Sequence, residues 1–218
     1  MDLITAMQQR HSVRAYLDKP IEKDKVQALQ SVIDACNEEG DLHIQLILDE
    51  PKAFDCFMAH YGNFSGVKNY IALIGKRSAD LQEKVGYYGE KIALYAQTLG
   101  LNTCWVAMSY KKIPSAFVVG KGEKLTVVIA LGYGKHQGVS HKSKTVEQVS
   151  NVSDETPEWF ANGVEAALLA PTALNQQKFR FVYSDGKVTM KTGVGAYVKL
   201  DGGIAKYHFE LASNQKLR

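Results

Sequence analysis

Apolar residues recur at helical spacing in several parts of the chain. The strongest example covers residues 85–99, where apolar side chains return every three or four positions, as on one face of a helix. Gly100 follows directly, and glycine is common just past the end of a helix. Asp2 is suited to be the N-cap of a first short helix. Similar patterns predict helices over residues 2–9, 24–36, 157–169 and 204–212.

Short apolar or alternating segments predict strands between these helices. The clearest pair is joined by Ser184-Asp185-Gly186, a typical hairpin turn. Residues 135–156 are polar and are expected to form an exposed connection. Because helices and strands are mixed rather than strictly alternating, we expect an α+β fold of layered sheet and helices. Strands are predicted over residues 43–48, 70–75, 125–131, 179–183 and 188–192.

The order of elements is repeated once along the chain. Residues 26–50 are predicted to form a helix, a short loop and a strand, and residues 159–185 follow the same order with a longer loop. One interpretation is that any helix–strand pair looks like this, and the other is a duplicated half-domain. The chain is thus expected to form one unit over residues 1–218, with possible halves at 1–150 and 151–218.

Composition excludes several classes of protein. Scattered charges, 26 basic against 23 acidic, argue against a nucleic-acid surface. No apolar run approaches the roughly twenty residues that span a membrane, and the start shows no secretory signal, so we expect no membrane association. Cys36, Cys56 and Cys104 are odd in number and widely spaced. They predict neither disulfides nor a metal pair, which favours the cytoplasm.

The histidines and two helical glutamates do not predict a catalytic or metal site. The six histidines lack metal-ligand spacing, and no metal is expected. His208 lies on an apolar helix face and is expected to be a hydrogen-bonded core residue. Glu90 and Glu165 are expected to be ordinary helix-face residues.

The segment Arg10-His-Ser12-Val-Arg14 is the first candidate for ligand binding. In an extended chain Arg10, Ser12 and Arg14 project from one face, while Val13 and Ala15 face the core. Two guanidiniums beside a hydroxyl suit a phosphate, because they supply charged, fork-shaped donors. The alternative is a solvated basic strand edge.

Four segments together resemble the FMN-dependent nitroreductase family. RHSVRAY at 10–16 resembles its opening basic segment, and APTALNQQKF at 170–179 resembles its A-P-S-x-x-N-x-Q-P-W loop. EKIALYAQTLGLNTCW at 90–105 is similar to its central helix and the turn that follows. VVIALGYG at 127–134 is similar to its V-x-A-L-G-Y strand.

The chain departs from the family pattern in two ways, and the first of them points to one branch of the family. The A-P-[ST]-x-x-N-x-Q loop lies in the C-terminal half, as in a smaller branch of thermophile-type nitroreductases. Thr172, Lys178 and Phe179 replace serine, proline and tryptophan. The motif residues that remain beside Thr172 are Pro171, Asn175 and Gln177.

The resemblance implies particular cofactor-binding residues in the basic segment. Arg10 and Ser12 would hold the FMN phosphate, with His11 beside them. Arg14 would reach the pyrimidine edge of the flavin, where positive charge stabilises the anionic reduced ring.

The resemblance also implies contacts to the flavin ring. Thr172 and Asn175 would contact the ring, and Ala107 and Met108 would lie near its N5 atom through backbone groups. For residues 105–108 the alternative is core packing after a long helix. The remaining cofactor-binding residues implied are Pro171, Gln177 and Trp105.

The activity implied is that of an FMN-dependent oxidoreductase. Electrons would pass from NAD(P)H through the flavin to a nitro, quinone or enone acceptor. No catalytic side chain is predicted, because the flavin carries the chemistry. Two alternatives stay open: a flavin-binding or flavin-sensing protein without turnover, and another chemistry on the same fold, such as dehalogenation or flavin breakdown.

The position of the loop bears on assembly. In the resembled family FMN lies between two subunits, with the basic segment from one and the loop from the other. Our hypothesis is an intramolecular pseudo-dimer, in which residues 26–75 and 159–192 form related halves around one flavin. The competing hypothesis is a homodimer, in which Thr172 and Asn175 reach the partner's Arg10.

Mixing two variants separates these hypotheses. An Arg10→Ala chain and an Asn175→Ala chain are combined under conditions that exchange subunits, and FMN binding is measured. The pseudo-dimer predicts no recovery of tight binding, because every chain keeps one defective part. Recovery of tight sites, with exchange verified by mass labels, would instead establish assembly across chains.

Overall fold

The computed structural model describes residues 1–217 and confirms the α+β class. Many predicted elements are present, among them the first helix, the hairpin and the central helix. The helices are α1 Leu3–Gln9, α2 Lys23–Gly40, α3 Phe57–Tyr61, α4 Leu81–Thr98, α5 Val146–Val149, α6 Glu158–Ala167 and α7 Val198–Ser213. The strands are β1 Gln45–Ile47, β2 Asn69–Lys76, β3 Asn102–Val106, β4 Glu123–Gly132, β5 Phe179–Ser184 and β6 Lys187–Thr192.

The chain divides into two compact units. Unit 1 comprises Met1–Leu81 and Ile92–Ser140, and unit 2 comprises Gln82–Lys91 and His141–Arg218. The boundary passes through α4, so the two parts of this helix belong to different units. In the part of the chain described, no helix is long and apolar enough to cross a membrane.

A four-stranded antiparallel sheet organises unit 1. Its strand order is β1-β2-β4-β3, and the central pair places Ile71 opposite Ile129. Residues 70–74 of β2 are fully buried, although their side chains alternate between the two faces of the sheet. Tyr70, Ala72 and Ile74 belong to a core cluster that also includes Val13, Tyr16, Phe54 and Cys104. The apolar run predicted for this strand therefore reflects burial on both faces.

Unit 2 pairs the β5–β6 hairpin with helices α6 and α7. The rings of Phe181 in β5 and Phe209 in α7 stack with centroids 4.8 Å apart. Helix α7 also packs closely on residues 82–91 of α4. A Cβ on Gly203 would overlap the carbonyl oxygen of Glu83, and a Cβ on Gly86 would overlap that of Leu200. Glycine at both positions allows this close approach.

A buried polar pair joins the same two helices. His208 and Glu90 are both fully buried, and His208 Nε2 lies 3.0 Å from Glu90 Oε1. His208 Nδ1 donates to the carbonyl oxygen of Ala166 at 3.0 Å. The prediction that His208 is a hydrogen-bonded core residue is confirmed. The prediction that Glu90 is an ordinary helix-face residue is wrong, because its carboxyl group is the partner of His208.

Two predicted helix ends are wrong. Helix α2 continues past Cys36 to Gly40 and ends where Asp41 adopts a left-handed conformation with φ 49°. Helix α7 begins at Val198 rather than near Ile204. Gly202 and Gly203 weaken the helical pattern in the sequence, but at Gly203 the absence of a side chain serves helix packing.

Three helices or strands were not predicted: α3, β3 and α5. Strand β3 follows Gly100 almost directly and pairs with β4, with Cys104 opposite Ala130. Its five residues are too few for their hydrophobic pattern alone to predict a strand. The segment 135–156 contains α5, and Val149 and Ser150 are buried, so it is not entirely an exposed connection.

Candidate functional site

The basic segment 10–17 is held in an extended form without being part of a strand. The backbone N–H of Val13 donates to the carbonyl of Thr103 at 3.0 Å, and that of Tyr16 donates to Ser65 at 2.9 Å. Neighbouring backbone is thus hydrogen-bonded to it at several points. The segment therefore has a fixed geometry, as a ligand site requires.

Two buried side chains anchor the segment in the core of unit 1. Val13 is fully buried as predicted, whereas Ala15 is only partly buried. The Tyr16 hydroxyl donates to the carbonyl oxygen of Val13 at 2.7 Å. Burial raises the pKa of Tyr16 well above its ordinary value, so this hydroxyl stays a neutral donor.

The three predicted phosphate-type donors all influence one buried thiol. Burial raises the pKa of Cys104, while the charge of Arg14, a hydrogen bond with Ser12 and the charge of Arg10 act in the opposite direction. Arg10 is only 3% exposed, whereas Arg14 is exposed, with its guanidinium carbon 5.9 Å from the ring centre of Phe64. The structure therefore brings Arg10, Ser12 and Arg14 together near Cys104.

A glycine-containing segment covers the basic segment closely. A Cβ on Gly138, where φ is +74°, would lie 2.8 Å from His11 Cβ and 3.1 Å from the Ser12 carbonyl oxygen. Asn102 fixes this cover, since it accepts from the Gly134 N–H at 2.9 Å and donates to Gln137 at 2.9 Å. Residues 132–138 (GYGKHQG) form this covering segment. That they cover the basic segment was not predicted from the sequence, although their glycines were a signal for a close approach.

The hydroxyl of Thr103 tests whether this region fits a phosphate. Thr103 forms a backbone bridge with Ser12 and is buried. Its Oγ1 atom has no hydrogen-bond partner within residues 1–217. A buried hydroxyl without a partner is costly, and an acceptor such as a phosphate oxygen would satisfy it. The donor set in this region therefore fits an anionic group.

The predicted N5-side residues lie at the end of β3. Trp105 is within the strand and is partly buried, and Ala107 and Met108 form the turn that follows. Met108 is 67% exposed. Core packing therefore does not account for Met108, whereas it does account for the buried Val106.

The loop 171–177 of unit 2 has an unusual backbone. Leu174, Asn175 and Gln177 have left-handed φ values of 53°, 52° and 43°. This conformation costs roughly 1–2 kcal/mol for each residue other than glycine. Thr172 Oγ1 accepts from the Gln177 N–H at 3.1 Å, which closes the loop. Strain concentrated in one loop is typical of ligand-binding segments.

Two predicted cofactor-binding amides are bonded to the neighbouring backbone. Gln177 is 1% exposed, and its Oε1 accepts from the Lys144 N–H at 2.8 Å. Asn175 donates through Nδ2 to the carbonyl of Lys142 at 2.7 Å. Gln177 Nε2 donates to Asn175 Oδ1 at 3.1 Å. These amides tie the loop to residues 142–144, a contact that no local sequence pattern indicated.

Asp201 is a further residue that sequence reasoning missed. It lies in the first turn of α7 and accepts hydrogen bonds from the loop through both carboxylate oxygens. Burial raises its pKa, and bonds from Ala173 and Gln176 oppose that rise. Among residues 1–217, no three His, Cys, Asp or Glu side chains form a group that could hold a metal ion.

The α+β fold described above, which contains the hydrogen-bonded basic segment and the strained loop, is that of nitroreductases. The family model described as "Putative TM nitroreductase" matches residues 2–213, and the chain belongs to this family. The resemblance seen in the sequence is thereby confirmed. No curated protein matches the chain.

Solved structures of nitroreductases share the fold. One from Thermotoga maritima MSB8, described as a putative nitroreductase, is 22% identical and has a TM-score of 0.71, covering 97% of this chain and 83% of that one. One from Desulfovibrio desulfuricans, described in the same words and in complex with FMN, is 18% identical with a TM-score of 0.57, covering 72% and 99%. A nitroreductase family protein from Streptococcus pneumoniae TIGR4 is 10% identical with a TM-score of 0.54, covering 68% and 98%.

The buried amide of Gln177 predicts a loss of stability when it is removed. Gln177→Ala should lower the free energy of unfolding by about 1–3 kcal/mol, because the Lys144 N–H and the Asn175 amide lose their partner. Gln27→Ala removes the same group from an exposed helix position and should change it by about 0.5 kcal/mol or less. Urea denaturation of ligand-free protein measures both. Equal effects of the two substitutions would contradict the structural role of Gln177.

Proposed function

We propose that this chain binds FMN and is an NAD(P)H-dependent oxidoreductase for small, electron-poor acceptors. The observation that carries the proposal is the segment that contains Arg10, Ser12 and Arg14, which backbone hydrogen bonds to Thr103 and Ser65 hold in a fixed, extended form. Membership of the nitroreductase family and the FMN complex of the Desulfovibrio structure support it.

The phosphate is assigned to the buried end of the basic segment. A guanidinium as deeply buried as that of Arg10 is costly in free energy unless anions or acceptors surround it. The phosphate oxygens match its fork of donors. Ser12 and Thr103 add hydroxyl donors, and His11 lies beside them under Gly138. Residues of this kind hold and orient a phosphate without taking part in electron transfer.

Contacts to the flavin ring are assigned to the remaining predicted residues. Arg14 is exposed and charged, and so is available to the pyrimidine edge of the ring, where negative charge develops on reduction. Thr172, Asn175 and their neighbours Pro171 and Gln177 form the loop assigned to the ring. Which copy of the chain supplies that loop is decided by the mixing experiment above. Ala107, Met108 and Trp105 are assigned to the side near N5.

When bound, FMN would supply reversible two-electron chemistry, accepting hydride from a nicotinamide and passing electrons to a second substrate. The chain's own residues would bind and orient it and supply positive charge at Arg14. The acceptor class assigned is a nitroaromatic, quinone or enone, small and electron-poor. Such a reaction requires no acid–base pair from the protein.

Flavin titration tests the cofactor assignment. The purified chain should quench FMN fluorescence with a dissociation constant below about 1 mM. Arg10→Ala should weaken FMN binding about ten- to a hundredfold, because a charge-assisted contact to phosphate is lost. Riboflavin binding should barely change, since riboflavin has no phosphate.

The control for this titration is Arg77→Ala, which removes an exposed arginine of unit 1. It should leave the affinity for both flavins at the wild-type value. Equal losses of FMN and riboflavin affinity in Arg10→Ala would give Arg10 a folding role instead. The cofactor assignment is wrong if wild-type protein quenches neither FMN nor FAD.

Stopped-flow mixing tests whether the protein turns over. Oxidised, FMN-loaded protein is mixed with NADH or NADPH without oxygen, and flavin absorbance near 450 nm is followed. The oxidoreductase assignment predicts rapid bleaching with at least one nucleotide and recovery of colour when a quinone is added. No bleaching with either nucleotide would leave a flavin-binding protein without this activity.

A further inference from the structure

A buried carboxylate reaches both ends of the strained loop in unit 2. Asp201 is 3% exposed. Its Oδ1 accepts from the backbone N–H of Ala173 at 3.0 Å, and its Oδ2 accepts from Gln176 Nε2 at 2.8 Å. A carboxylate is costly to bury, and these two donors offset part of that cost. Both of them belong to the loop.

Two of the three left-handed residues of the loop lie between these two donors. Leu174 and Asn175 are both left-handed, and the Leu174 side chain is fully exposed. Packing of Leu174 therefore does not stabilise its backbone conformation. The contacts at Ala173 and Gln176 bracket it, and they add to the bonds that Asn175 and Gln177 make with residues 142–144.

Asp201 itself is held rigidly by its helix. Its N–H donates to the carbonyl of Tyr197 at 2.8 Å, in the first turn of α7. Farther along that helix, Gly203 packs directly on Glu83 of α4, and His208 bonds with Glu90. The carboxylate thus connects a fixed helix to a loop whose residues Leu174 and Asn175 are exposed.

We propose that Asp201 is a positioning residue that holds the 172–177 loop in the conformation required to contact the flavin ring. This inference rests on the function proposed above for that loop. It assigns Asp201 no contact with the flavin. We call the two hydrogen bonds from the loop to Asp201 the clamp. Loss of the clamp should weaken binding of FMN and riboflavin by the same factor, since both contain the ring. That signature differs from the one expected for Arg10.

Limited proteolysis of flavin-free protein reports on the clamp directly. Proteases bind their substrates in extended form, so a left-handed loop held at both ends resists cleavage. Asp201→Ala should increase the rate of chymotrypsin cleavage after Leu174 about tenfold or more, measured by mass spectrometry of the fragments. Affinity for FMN and for riboflavin should fall together, by about ten- to a hundredfold.

Two further variants should give cleavage rates between those of the wild type and Asp201→Ala. Asp201→Asn keeps an acceptor for the Ala173 N–H, but its amide nitrogen cannot accept from Gln176, so its cleavage rate should lie between those of wild type and Asp201→Ala. Gln176→Ala removes the second donor, together with its hydrogen bond to the carbonyl of Ala196, and should also be intermediate. If Asp201→Ala does not fold, these two variants still test the clamp. Glu158→Ala, which removes an exposed acid from the first turn of α6, should match wild type.

The outcomes separate this inference from the proposed function. Unchanged cleavage in all three clamp variants overturns the inference whether or not flavin binds. Faster cleavage with unchanged flavin affinity also overturns it, and leaves FMN binding intact as a proposal. Absence of flavin binding by wild-type protein overturns both the proposed function and the cofactor role of Asp201. Graded cleavage with parallel loss of FMN and riboflavin supports the inference.

Discussion

The antiparallel pairing of β4 with two neighbours is the interaction on which unit 1 depends. Strand β4 is hydrogen-bonded to β2 on one side and to β3 on the other. The basic segment gains its order from the same sheet, since Val13 bonds to Thr103 in β3 and Leu17 bonds to Tyr133 just after β4. A segment with no strand of its own thereby acquires the fixed geometry that a strand would have. The fixed positions of Arg10 and Arg14 follow from that arrangement.

Much of the fold was predictable because its signals are local. Asp2 accepts from the Thr5 N–H at 2.8 Å, which is the cap expected at the start of α1. The turn at Asp185-Gly186 joins two antiparallel strands, as the predicted hairpin requires. In each case a few adjacent residues determine the conformation. Strand β3 differs, because its five residues become a strand through pairing with β4.

Some features of the candidate site were likewise predictable from adjacent residues, and others were not. That residues 10–14 would be extended followed from alternation, and the burial of Val13 followed with it. The burial of Arg10 could not be predicted from this alternation, since it depends on packing between distant parts of unit 1. The left-handed backbone conformation of the loop also could not be predicted from the residues near it in sequence. Leu174 and Asn175 adopt a conformation that glycine favours, and the carboxylate that brackets them lies about 26 positions later in the chain. Long-range hydrogen bonds, which leave no pattern in a short window, decide both features.

Helix α4 supplies residues 82–91 to one unit and continues into the other. Neither unit is therefore a continuous stretch of chain, and no single cut releases either of them whole. A fragment beginning at His141 would lack Glu90 and leave His208 without its buried partner. During synthesis, Lys91 leaves the ribosome 50 residues before His141, the next residue of its unit. The packing of α7 on Gly86 must wait until α7 has been made, so unit 2 completes its fold only after Val198–Ser213 has left the ribosome.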